Sequence, residues 1–178
     1  MSKETKSLST VKTIFSIDII QSFKKIDYDV LINHIKSTGK PAADEKYDTK
    51  FEDTYFDQHD LMDEIIDHAR DCVKEQLNVS TSVSGQPWVH IHEKNMSTNT
   101  HTHGSSNISV VYYLATPEGS GDIFFNPDPN FINPTAFIPQ RGGMLLFPGW
   151  LKHSVTRNTS EDQRISVSFN LNYTSEEA

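Results

Sequence analysis

Cysteine is almost missing from this 178-residue chain. Cys72 stands alone, which excludes a disulfide framework and any thiolate metal cluster. Basic residues are outnumbered, with 16 Lys and Arg against 24 Asp and Glu. The formal net charge of -8 is the wrong sign for a nucleic-acid footprint. Long apolar runs are lacking too: stretches such as Met144 to Pro148 are far too short to span a bilayer, and no basic amphipathic segment suggests a membrane surface. The opening "MSKETKSLST" has no apolar core of a signal peptide, so Asn-x-Ser/Thr triplets such as Asn78 to Ser80 carry little weight. The expectation is one soluble, cytoplasmic domain with room for one sizeable core, and with neither a nucleic-acid nor a membrane partner.

What is present divides the chain in two. In the first third, Tyr28, Leu31, Ile32 and Ile35 fall at helical spacing, and Gly39 followed by Pro41 is a stop signal. Leu61, Ile65, Ile66, Ala69, Cys72, Val73 and Leu77 form a longer apolar stripe opposite Asp and Lys residues. That stripe suits a core face, or in part the face of a homodimer. From Pro87 onward come short β-rich runs: "PWVHIHE", "NISVVYYLA", "GDIFFN", "GGMLLFP" and "RISVSFNLNY". Such runs after a pair of helices predict a mainly β fold with N-terminal helices, a sandwich or jelly roll with the helices on one outer face. The boundaries expected are 1–85 as mostly helical support and 86–178 as the jelly-roll core. The segment "NPDPNFINPTAFIPQ" is too rich in proline for a central strand and reads as a loop over one end. In the last strand Ile165, Val167, Phe169 and Leu171 alternate with Arg164, Ser166, Ser168 and Asn170. Period two puts the apolar set between the sheets; the polar set faces solvent or lines a polar cavity, and pattern alone favours solvent.

Three features could carry chemistry. His101 and His103 in "HTHGSSNISVVYYL" are two apart, so in a strand their imidazoles share a face and can converge on one ion. His90 and His92 in "WVHIHE" repeat the spacing and face either a cavity or solvent, so the pattern discriminates poorly by itself. His153 follows the apolar run and turn of "GGMLLFPGWLKHSV" and lies far enough from His101 in sequence to meet it across a jelly roll. Arg164 opens the last strand, either as a rim residue or as a fork for a carboxylate inside the barrel, with the hydroxyl of Ser166 on the same face.

The order of these motifs resembles the iron(II)- and 2-oxoglutarate-dependent oxygenases. It is most similar to small members in phage and bacterial genomes, whose pattern runs H-x-H…S-x-x-Y-Y-L…G-x-L-x-L-F-P-x-x-L-x-H-x-V…R-x-S-x-S-F-N. Here it reads "HTHGSSNISVVYYL", "GGMLLFPGWLKHSV" and "RISVSFN", with weaker likeness in "TIFSIDI" and "PWVHIHEKN". The resemblance implies a double-stranded β-helix, iron(II), 2-oxoglutarate as co-substrate and dioxygen, within a single oxygenase domain spanning 1–178. It implies His101 and His153 as metal ligands, and Arg164 with Ser166 and Tyr113 on the far carboxylate of 2-oxoglutarate, with no catalytic residue beyond the metal centre. Tyr113 shares a strand face with Ser109 and Val111, and would point inward while Ile108, Val110 and Tyr112 point out.

This chain departs from the pattern at one position. Most of the superfamily has Asp or Glu where His103 stands. Either His101, His103 and His153 form a neutral three-histidine set, or a carboxylate comes from elsewhere, with Asp122 and then Asp128 as the nearest candidates. The expected activity is a dioxygenase hydroxylating a protein or peptide side chain or a small metabolite. Trp88, His90, His92, Trp150 and the proline-rich loop would border its entrance. The rival is a three-histidine cupin-type metalloenzyme, a thiol dioxygenase or isomerase without 2-oxoglutarate. It has no need for Arg164 and Tyr113 to converge.

Overall fold

The computed structural model describes residues 17–41, 54–126 and 135–174. Its first layer is helical. Helix α1 (Tyr28–Thr38) starts where the Asp27 side chain accepts a hydrogen bond from the Val30 N–H, and it stops at Gly39, whose N–H reaches back to the Ile35 carbonyl. Helix α2 (Asp60–Leu77) starts at His59, whose ring accepts from the Leu61 N–H, and ends on Asn78 in the left-handed region at φ 54°. Leu31 and Ile35 of α1 and Met62, Ile65, Ala69, Cys72 and Val73 of α2 are buried. The stripe at helical spacing is therefore largely core, although Leu77 is exposed.

The strands are β1 (Ile20–Phe23), β2 (Lys40–Pro41), β3 (Thr54–Tyr55), β4 (Thr81–His92), β5 (Thr98–His101), β6 (Ile108–Ala115), β7 (Ile123–Phe125), β8 (Thr135–Phe137), β9 (Gly143–Pro148), β10 (His153–Val155) and β11 (Arg164–Tyr173). Their pairings are antiparallel, in a large sheet of order β1-β9-β6-β11-β4-β3-β2 and a small one of order β5-β10-β7-β8. This is a double-stranded β-helix, mainly β with the helices on one outer face, as the pattern predicts.

Two cores follow from period two in the central strands. Val110, Tyr112 and Leu114 of β6 and Ile165, Val167, Phe169 and Leu171 of β11 pack with the helices. Val111 and Tyr113 face the small sheet, with Ile123, Phe125, Leu145, Phe147, Leu151 and Val155. The last strand thus reverses the expected assignment. Its apolar set meets the helical layer, and Arg164, Ser166 and Ser168 line a cavity between the sheets rather than solvent. The large sheet is covered on both faces, so alternation marks an apolar helix-bearing face and a polar interior.

Three boundaries also differ from expectation. The stretch before residue 86 contributes strands as well as helices, since β1 pairs with β9 and β3 with β4. Strand β4 begins at Thr81, not Pro87. Ser168 pairs with Trp88 and Asn170 with Ser84, so Gly85, Gln86 and Pro87 bulge opposite Phe169, which lets a proline sit inside the strand. Thr135–Phe137 of the proline-rich segment pairs with β7 as an edge strand.

Candidate metal centre

Strands β5 and β10 set His101 directly opposite His153, with ring centroids 4.3 Å apart. His103 lies beyond the end of β5, so strand alternation is not what brings it in. Its N–H donates to the Gly149 carbonyl at 2.8 Å, and its own carbonyl accepts from the Ser106 N–H at 3.2 Å. This turn approaches the loop before β10 so closely that a Cβ on Gly149 would lie 2.2 Å from the Ser106 carbonyl oxygen. The His103 ring sits 5.1 Å from each of the other two rings. One ligand atom from each histidine falls within 4.8 Å of the others, near enough for small side-chain rotations to bring all three onto one ion.

Hydrogen bonds settle two of the tautomers. His101 Nδ1 contacts the Asn99 carbonyl and His153 Nδ1 the Leu151 carbonyl, each at 2.9 Å. A carbonyl only accepts, so both Nδ1 atoms carry the proton and both Nε2 lone pairs are left for a metal. Burial pushes His103 down to about 3 and His153 down to about 4, with the neighbouring imidazoles adding to the effect. Neutral rings are the ligating form. The indole of Trp88 lies 5.5 Å from the His103 ring, and its N–H donates to His90 Nε2 at 2.6 Å.

The same cavity continues away from the histidines to Arg164, Ser166 and Thr98. Thr98 pairs with Val155, two residues along β10 from His153, which gives the direction. The floor comes from register: Arg164, Ser166 and Ser168 of β11 stand opposite His92, His90 and Trp88 of β4, while Ser166 also faces Tyr113 of β6. Arg164 is 1% exposed and Tyr113 2%. The guanidinium carbon lies 5.3 Å from the Tyr113 ring centroid. Arg164 Nε and the Tyr113 hydroxyl have no hydrogen-bond partner, and no carboxylate lies within 4 Å of the guanidinium among the described residues. Burial pushes Arg164 below its usual value and Tyr113 above its own.

His101, His103 and His153 therefore come together, and Arg164 and Ser166 line the same cavity farther along, with Tyr113 packed beside them. Asp122 does not join the histidines. Its backbone pairs with Thr156, its charge acts on Arg164 and Tyr113, and the β7 residue opposite His153 is Phe125. Asp128 lies outside the described residues. His90 and His92 lie in the interior rather than at an entrance: β4 runs beside β11, His90 lines the same cavity, and His92 is buried against Arg164 and Thr98. His92 is 3% exposed and accepts from Arg164 Nη1, a role that its spacing alone could not reveal. The usable signal was the polar alternation of β11, once β4 is recognised as its neighbour.

Fold and site together define a double-stranded β-helix protein with a candidate metal centre facing a buried arginine. A family model described as "Putative 2OG-Fe(II) oxygenase" matches residues 86–170. Over that stretch, just under half its length, the chain is similar to the 2OG-Fe(II) oxygenase family, a family of enzymes. No curated protein sequence matches the chain. Among solved structures it is similar to a truncated viral collagen prolyl hydroxylase from Paramecium Bursaria Chlorella virus-1, at 17% identity and TM-score 0.66, covering 98% of this chain and 100% of that one. It is also similar to a prolyl-4-hydroxylase from Pseudomonas putida, at 15% identity and TM-score 0.62, covering 88% and 93%. A 2OG-Fe(II) oxygenase family oxidoreductase from Burkholderia pseudomallei matches at 13% identity and TM-score 0.60, covering 82% and 77%. At these identities the likeness is one of fold. Among the described residues, no helix is long and apolar enough to cross a membrane.

Proposed function

We propose that this chain is an iron(II)- and 2-oxoglutarate-dependent dioxygenase in which His101, His103 and His153 hold the metal. The observation that carries the reading is the buried Arg164 guanidinium, with no carboxylate within 4 Å among the described residues and the Tyr113 ring beside it, in the same cavity as three converging imidazoles. A buried cation without a counter-ion is costly, and a carboxylate from a bound molecule relieves that cost. The donor set fits both groups: neutral imidazoles for iron(II), and a guanidinium with two hydroxyls for the far carboxylate of a 2-oxo diacid.

Bound iron and 2-oxoglutarate together supply the oxidation of a C–H bond by dioxygen. The chain's own residues orient and exclude. Asn99 and Leu151 carbonyls fix two ligand tautomers, Gly149 ties down the turn bearing His103, and Arg164 with Tyr113 and Ser166 anchors the co-substrate. Three neutral ligands leave the full charge of the metal to attract an anionic chelate. Phe147, Val155 and Ile123 keep the cavity wall dry.

The substrate we favour is a peptide side chain, with a small metabolite as the alternative. The prolyl hydroxylases among the similar folds support this by analogy, as does Trp88 beside His103. Convergence of Arg164 and Tyr113 speaks against a thiol dioxygenase or isomerase with the same histidines. The test is formation of succinate when concentrated protein is incubated in air with iron(II) and 2-oxoglutarate. Iron-dependent succinate above the protein-free rate is expected, and its absence would overturn the reading.

A further inference from the structure

Arg164 is held by an imidazole rather than by a carboxylate. Its Nη1 lies 3.1 Å from His92 Nδ1, and a guanidinium N–H only donates, so Nδ1 is the acceptor. The ring proton of neutral His92 is then on Nε2, which donates to Thr98 Oγ1 at 3.0 Å. Both ring nitrogens are thereby committed, and all three residues are buried. The chain Arg164 to His92 to Thr98 also crosses from the large sheet to the small one, so the ring cannot turn without breaking a contact between them. A second clamp sets the height of His92 on β4: Asn158, fully buried, donates through Nδ2 to the His92 carbonyl at 2.9 Å.

This arrangement orients the guanidinium without cancelling its charge. A carboxylate at position 92 would aim the fork at least as firmly, but it would neutralise it internally and leave nothing for an incoming anion. Asp122 is the carboxylate whose charge Arg164 senses, yet it makes no ion pair within 4 Å. We infer that His92 is a specificity-determining positioning residue, a neutral acceptor that aims Arg164 while preserving its charge, so that the cavity selects 2-oxo acids with a carboxylate at the far end. The inference rests on the co-substrate reading above.

The experiment is calorimetric binding to the Mn(II)-loaded protein of two ligands of equal chain length. 2-Oxoglutarate carries the far carboxylate, and 2-oxopentanoate carries a methyl in its place. In wild type 2-oxoglutarate should bind tighter by about 100-fold, as two charge-assisted hydrogen bonds imply. In His92→Glu that ratio should collapse to about threefold or less, through loss of 2-oxoglutarate affinity alone. His92→Gln, which keeps a neutral acceptor, should retain discrimination within about tenfold of wild type. Should His92→Glu fail to fold, Thr98→Val releases the Nε2 end of the ring and should lower affinity for 2-oxoglutarate while sparing 2-oxopentanoate. Unchanged discrimination in His92→Glu, or equal loss for both ligands in Thr98→Val, overturns the inference and leaves the co-substrate reading standing. Wild type that does not discriminate overturns both.

Discussion

Replacing Arg164 with Met should strengthen the fold and abolish the function. The side chain is 1% exposed with no carboxylate within 4 Å among the described residues, so the metal-free protein bears an ion's desolvation cost of several kcal/mol, only partly offset by His92 and the more distant Asp122. Methionine is of similar volume and carries no charge. Against the gain stands the loss of the donor to His92 Nδ1, roughly 1–3 kcal/mol. The net expectation is a stabilisation of about 1–2 kcal/mol, which for a chain of this size raises Tm by about 2–8 °C. Under the proposed co-substrate reading the same substitution would remove two charge-assisted hydrogen bonds to the far carboxylate, about 1.5–3 kcal/mol each, so 2-oxoglutarate should bind at least about 100-fold more weakly. Metal affinity should hardly change, because Arg164 touches none of the three histidines. Scanning calorimetry of metal-free protein reads the first effect, and titration of Mn(II)-loaded protein with 2-oxoglutarate reads the second. A Tm that falls by several degrees while 2-oxoglutarate binding stays intact would refute the reasoning, because Arg164 would then be a structural cation.

Three further outcomes are expected. Asn158→Ala removes Nδ2 bonds to the His92 and Asp162 carbonyls and an Oδ1 bond from the Ser160 N–H, and should cost about 2–4 kcal/mol in a urea melt. Gly149→Ala should weaken Mn(II) binding, read by electron paramagnetic resonance, by roughly tenfold or more, since a Cβ would push against the Ser106 carbonyl and shift the turn bearing His103. In metal-free protein, burial holds His92 and His153 down at about 4, while the unfolded chain titrates near its ordinary 6.5. The unfolded state therefore binds more protons between those values, so the contribution is intact above about pH 6.5 and drains away as pH falls toward 4. The loss is on the order of 1 kcal/mol per histidine from about pH 7.5 to 5.5, and urea melts that show no such decline would contradict neutral burial.

The fold was legible where one periodicity dominates. The spacing of Leu31 and Ile35, the stripe from Ile65 to Val73, and the runs forming β6, β7, β9 and β11 all form as read. Short edge strands were not, because β1 and β8 show no alternation of their own and are held by pairing with β9 and β7. The direction of β11 could not be read from its own pattern: period two separates two faces but does not say which meets helices. The three histidines were found by motif order, although His103 arrives through a turn rather than a strand. His92 was invisible as an arginine partner because that role depends on register between strands seventy residues apart.

The most direct test of a three-histidine iron site sharing its cavity with 2-oxoglutarate is an anaerobic titration of the iron(II)-loaded protein with that co-substrate. The visible charge-transfer band of the chelate is read in wild type, His103→Ala and Asp122→Ala. The band should appear in wild type, persist in Asp122→Ala and fade in His103→Ala. A band that fades only with Asp122→Ala would put a carboxylate on the metal, and iron-loaded wild type with no band would contradict the account at its centre.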